Sequence, residues 1–182
     1  PLGQVDSYPA GGNYPTSSWE PGETIRDHYR LTVAEDALVP TVGRIEVGLY
    51  RLPAYENVPA VDGQGRNIGS SPDIGGVRVN SQVKAVYHPE RSTAVTFGNS
   101  VDLVGYDLSR DSASGGVELS VTLYWHVTRA LEQDYTVFVH LVGENGRAGQ
   151  HDSQPLGGDY PTSFWVPGET LQDQHLLTVR DG

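Results

Sequence analysis

The clearest pattern along the chain is strict alternation of apolar and polar residues. Val117, Leu119, Val121, Leu123, Trp125 and Val127 share one parity, with Glu118, Ser120, Thr122 and His126 on the other. A period of two over this length predicts a half-buried β-strand. Val137, Val139 and Leu141 repeat it, opposite Thr136, Phe138 and His140. Gly143-Glu144-Asn145-Gly146 follows and reads as a turn. Ile45, Val47 and Leu49 predict another strand, as do Val101, Leu103 and Tyr106. Shorter candidates run over 29–33, 77–79, 83–87 and 175–179. Helical periodicity is nearly absent, with one short turn expected at 128–133. Short strands at regular spacing predict an all-β fold, an antiparallel β-sandwich of Ig-like or jelly-roll-like character.

A second pattern is internal repetition. Residues 3–36 and 149–182 align without a gap, and 20 of the 34 positions are identical. The identities include Gln4/Gln150, Asp6/Asp152, Pro9/Pro155, Gly11/Gly157, Tyr14/Tyr160, Pro15/Pro161 and Trp19/Trp165. They continue through Pro21/Pro167, Gly22/Gly168, Glu23/Glu169, Asp27/Asp173 and Leu31/Leu177. Such identity implies a duplicated structural module. The expected division is 1–80 as the C-terminal part of one module, 81–94 as a link and 95–182 as the N-terminal part of the next. The halves either complete one sandwich within the chain or exchange strands with a second copy as a homodimer.

Composition supports the strand reading. The 182 residues include 22 Gly and 12 Pro, which favour turns, and 37% are hydrophobic, which allows a core. There is no Cys, so neither disulfides nor thiolate metal sites hold the fold. There is no Met either, so the chain reads as part of a longer protein. No apolar run is long enough to span a bilayer, so no membrane insertion of this segment is expected. Net charge is −11 with 12 Lys and Arg, which argues against nucleic acid, a ligand that needs a basic face.

Candidate chemistry gathers in the repeat. Asp6, Glu23 and Asp27, with their counterparts Asp152, Glu169 and Asp173, are oxygen ligands of the kind calcium takes. The alternative is that each carboxylate caps a turn. Pro21-Gly22 and Pro167-Gly168 read as type II turns, where Gly supplies positive φ. No other cofactor is implied. The six histidines show no HxH or HExxH spacing, although His126 and His140 could pair across neighbouring strands. No G-x-S-x-G elbow or phosphate loop occurs, so the chain is expected not to be an enzyme. Exposed Trp and Tyr rings stack on sugars, which makes Tyr14, Trp19, Tyr160 and Trp165 candidate carbohydrate contacts. The competing expectation is that Trp19 and Trp165 plug the end of a sandwich. Trp125, on an inward parity, is expected in the core.

The run Asp134-Tyr-Thr-Val-Phe-Val-His-Leu-Val142 leads into Gln150-x-Asp152, Pro155-x-Gly-Gly158, Tyr160-Pro-Thr162, Trp165-x-Pro-Gly-Glu169 and Asp173. Together these resemble accessory β-sandwich domains of bacterial membrane glycosyltransferases of the dolichyl-phosphate-mannose-mannosyltransferase-like kind. Gly43-Arg-Ile-Glu-Val-Gly-Leu-Tyr50 with Leu52-Pro53 looks like a late strand of those domains. The resemblance implies an extracytoplasmic (periplasmic or cell-surface), non-catalytic accessory module, a spacer or a weak carbohydrate-binding surface. The alternatives are a structural or protein–protein interaction module joined by strand exchange, and a calcium-stabilised adhesion-type repeat.

Overall fold

The computed structural model describes residues 1–80 and 85–180. The chain divides into two compact units, Pro1–Val39 and Pro40–Gly182. The break therefore falls at 39/40 and not in the expected link at 81–94. Residues 40–80 belong with the second half because they pack on it. The Val42 amide donates to the Asp159 carbonyl at 2.8 Å, and Val42 lies against the core.

Among the described residues, ten strands and no α-helix make the larger unit all-β. Its largest sheet has four antiparallel strands in the order β10-β7-β6-β5. These are β5 (Arg91–Phe97), β6 (Val101–Leu108), β7 (Glu118–Val127) and β10 (Thr170–Thr178). Three two-stranded ribbons accompany it. They pair β1 (Thr41–Glu46) with β4 (Asp73–Val79), β2 (Tyr50–Arg51) with β3 (Glu56–Asn57), and β8 (Val137–Gly143) with β9 (Gly146–Ser153). The β8–β9 turn matches the expected one, with Gly143 opposite Gly146 and a φ of 104° at Gly146.

The alternation read from β7 is the one that folds. Leu119, Val121, Leu123, Trp125 and Val127 are all buried. They meet Leu171 and Leu177 from β10, Val101 from β6, and Tyr160 and Trp165 from the loop before β10. Each such side chain contributes about 1.5–3 kcal/mol by leaving water. Phe97 meets the edge of Trp125 at 5.7 Å between ring centroids.

Other expected strands shift or fail. Ile45 ends up in β1 and Val47 and Leu49 lie beyond it; all three are exposed, while the buried end of β1 is Thr41 and Gly43. The reason is that the ribbon meets the core near Val42 and Gly76, beside the Asp159 carbonyl and the Phe164 ring, and Ile45 and the residues after it lie beyond that contact. The stretch 128–133 makes bends and no helix. Residues 29–33 form no strand, although 175–179, their counterparts, lie in and just after β10. A strand needs a ladder partner, and alternation alone does not supply one. The candidate at 83–87 lies partly outside the described residues, and 85–87 is not strand.

Tyr124 is buried on the opposite parity of β7. Its hydroxyl donates to Asp107 at 2.6 Å, and its ring lies 5.5 Å from Tyr87. That hydrogen bond, with burial second, pushes the Tyr124 hydroxyl up to about 12. The same bond lowers the Asp107 carboxyl, helped by the Glu90 amide. A lowered carboxyl contributes stability above its unfolded pKa and loses it as pH falls through the folded pKa. Tyr124→Phe should therefore destabilise the unit at neutral pH, and its deficit against the parent should shrink in acid. Urea melts at neutral pH and near pH 3 would check this, and a deficit constant across pH would refute the coupling.

Candidate functional site

The repeated segment builds the same hydrogen-bonded loop twice, once in each unit. In the larger unit it starts at Pro155, where the ring presets φ for a 3₁₀ turn. Leu156, Gly157 and Gly158 then take φ of 52°, 68° and 94°. Positive φ is costly for Leu156. An anchor offsets it, since the Leu156 amide donates to Asp173 Oδ1 at 2.9 Å. Further on, Trp165 Nε1 donates to the Tyr160 carbonyl at 3.0 Å. The Tyr160 hydroxyl lies 3.0 Å from the Phe164 carbonyl and 3.1 Å from Glu169 Oε2. The Val166 amide caps the same carboxylate at 3.1 Å. Gly168, with φ of 85°, closes the expected turn through Glu169 N to Val166 O at 3.0 Å.

The N-terminal unit repeats this atom for atom. Ala10 has φ of 52°, and its amide donates to Asp27 Oδ2 at 3.1 Å. Trp19 Nε1 donates to the Tyr14 carbonyl at 3.2 Å. The Tyr14 hydroxyl meets Ser18 O at 3.2 Å and Glu23 Oε2 at 2.8 Å, and the Glu20 amide caps Glu23 at 3.1 Å. Gly22 has φ of 88° in its turn. Even the outer closure recurs: Ala34 N donates to Leu2 O in one unit and Arg180 N to Ala148 O in the other, both at 2.7 Å.

What differs is burial. Tyr160 is fully buried and Trp165 is 4% exposed, so neither ring offers a face to a sugar. Both are core residues, which corrects their reading as ligand contacts. Trp19 is 36% exposed and Tyr14 half-buried. Burial, foremost, pushes the Tyr160 hydroxyl well above its ordinary range. Tyr14 is raised instead mainly by its hydrogen bond to Glu23. Asp27 is lowered, first by the Tyr29 hydroxyl and then by the Ala10 amide.

The six candidate calcium ligands do not converge. Among the described residues no group of three or more His, Asp or Glu side chains is placed to hold a metal. Each carboxylate is engaged locally instead. Asp6 takes Gln4 Nε2 at 2.7 Å, and Asp152 meets His140 at 3.3 Å. Glu23, Asp27, Glu169 and Asp173 are held by the loop amides and hydroxyls already named. Four of the six, Glu23, Asp27, Glu169 and Asp173, accept from loop amides, whereas Asp6 and Asp152 meet side chains.

His126 and His140 do not pair with each other, because β7 and β8 lie in different sheets. His126 Nδ1 meets Thr170 Oγ1 at 3.1 Å. The histidine pair that does form is His151–His175, with their Nδ1 atoms 2.9 Å apart. His175 and Asp173 are fully buried side by side on β10, with His175 Nε2 2.9 Å from Asp173 Oδ2. Trp125 Nε1 approaches the same oxygen at 3.4 Å. Asp173 as a carboxylate accepts from His175 Nε2–H, which leaves His175 Nδ1 to accept from His151. A signal for this chain was present in the sequence. Asp173 and His175 share the inward parity of Leu171 and Leu177, and two polar groups facing a core require partners there.

No family model, curated protein or solved structure matches this chain. The site is thus read from its own chemistry. It is a closed network in which donors meet acceptors inside the loop and fix its backbone ahead of β10.

Proposed function

We propose that the chain is a non-catalytic structural module, a duplicated β-sandwich unit serving as an extracytoplasmic spacer or accessory part of a larger membrane glycosyltransferase-like protein. The observation that carries the architectural role is the repeated loop itself. The same carboxylates, hydroxyls and indoles are consumed by the same internal hydrogen bonds in both units. Groups used this way set backbone geometry and leave no free ligand for a substrate. The sandwich reading is supported by a four-stranded sheet that shares its core with residues of the β1–β4 and β8–β9 ribbons. Placement outside the cytoplasm and the link to a glycosyltransferase rest on the sequence resemblance alone, which is an argument by analogy.

A weak carbohydrate surface is the second reading, and exposure of Trp19 favours it, with Tyr8 and Tyr29 of the same unit 62% and 48% exposed. A glycan array with the whole chain separates the two. The structural reading expects no glycan bound above background. Reproducible binding abolished by Trp19→Ala, with the circular dichroism spectrum unchanged, would replace it with sugar recognition.

A further inference from the structure

In the larger unit the second repeat completes the sheet. Its strand β10 runs along β7 with Leu171 opposite Trp125, Asp173 opposite Leu123, His175 opposite Val121 and Leu177 opposite Leu119. The first repeat carries the same inward set at the same spacing: Ile25, Asp27, Tyr29, Leu31 and Val33. Yet 24–33 is not a strand, and Tyr29, Leu31 and Val33 are 48%, 54% and 43% exposed.

We propose that the N-terminal unit is a strand donor: Thr24–Val33 of one chain adds along β7 of a second copy of this chain, in the place and register held by β10. This deepens the architectural reading and rests on it. The occupant follows from the twin, because β7 is the strand on which this motif is seen to dock.

Three observations favour the fit. The loop leading into the donor segment already makes the hydrogen bonds of its docked twin, which removes that part of the ordering cost. Tyr29 donates to Asp27 at 2.7 Å, reproducing within the donor segment the bond between His175 and Asp173. The phenol leaves no second ring nitrogen to satisfy, so it needs no His151. In the β10 register, Arg30 falls opposite Ser120 and diagonal to Glu118, adding an attraction that Leu176 lacks.

Each chain has one β7 and two repeats, so docking in trans leaves one repeat unplaced for each one placed. Exchange therefore trades one strand for another along β7, at the loss of the His151–His175 contact. Its extent depends on chain concentration and on how firmly β10 holds its own place.

Since the chain has no Cys, introduced pairs report on this directly. Arg30→Cys with Ser120→Cys places thiols opposite each other in the proposed register. Leu176→Cys with Ser120→Cys is the positive control within one chain. Mild oxidation of the first pair should give disulfide-linked dimers and longer ladders that increase with concentration. Adding Leu177→Asp, which weakens β10, should raise the yield several-fold; should it unfold the chain, the concentration series on the parent pair decides alone. Equal yields from Arg30→Cys with Glu118→Cys, two residues out of register, would reduce the effect to collision and overturn the proposal. Cross-links confined to single chains, or none while the control closes fully, would overturn it too. Failure of the architectural reading is separately visible as Trp19-dependent glycan binding.

Discussion

Trp165→Ala should cost the larger unit about 3–5 kcal/mol, the usual range for removing a buried large aromatic. The identical change in the first repeat, Trp19→Ala, should move the same unfolding transition by less than about 0.5 kcal/mol. The two indoles make the same bond, to the carbonyl of Tyr160 or Tyr14. Only Trp165 also fills the core beside Trp125, Leu171 and Val127. No residue of Pro1–Val39 is buried, so truncation of Trp19 opens no cavity. Urea unfolding followed by far-UV circular dichroism gives both values. Equal losses would mean that Trp19 has a packed core of its own.

Asp173→Ala should be comparably severe, about 3–5 kcal/mol, because one partner of a buried hydrogen-bonded set is removed. The change strands the Leu156 amide, the Trp125 indole N–H and the His175 Nε2–H together. It also removes the anchor that holds Leu156 at positive φ. Asp173→Asn should lose clearly less. Its carbonyl can still take the Leu156 amide. Its NH2 can donate to His175 Nε2 if that ring shifts its proton to Nδ1 and donates to His151. Side-chain ¹⁵N spectra of His151 and His175 should show the exchange of tautomers. Unfolding that ranks the Asn variant level with the Ala variant would show that the bonds beyond Leu156 contribute little. Asp27→Ala, in the exposed repeat, should leave the larger unit unchanged.

Strand positions were legible where the alternating apolar face packs against the core along its length, fully in β7 and partly in β8. The Leu119–Val127 alternation and the Val137–Leu141 alternation each appear as strands, because burial on one face is what selects period two. Legibility failed where the alternating face lies beyond the core. Ile45, Val47 and Leu49 alternate correctly, yet their ribbon touches the core near Val42 and Gly76. It failed completely at 29–33, whose pattern matches β10 but lacks a ladder.

The candidate site divides in the same way. Turn chemistry was local and readable: Pro-Gly at 21–22 and 167–168 gives the positive φ that only Gly takes without cost. Glu23 and Glu169 were readable as turn caps, since each accepts from an amide three residues away; the anchors that Asp27 and Asp173 give to Ala10 and Leu156 span 17 residues and were not. Which rings are free for a ligand was not readable. Tyr14 and Tyr160 both precede Pro-Thr-Ser, and Trp19 and Trp165 both precede x-Pro-Gly-Glu, so these motifs alone do not separate the buried copy from the exposed one.

By itself, then, the amino-acid sequence determined the strand periodicity, the turns and the duplicated hydrogen-bonded loop, because those depend on contacts within a few tens of residues. Tertiary structure alone decided that residues 40–80 join the second half, that the unit boundary lies at 39/40, and that His175 finds His151. It also decided that one repeat is core and the other surface. Burial depends on which distant segment arrives at a face; a local trace of it is that the buried repeat carries Leu156, Phe164 and Val166 where the exposed repeat has Ala10, Ser18 and Glu20.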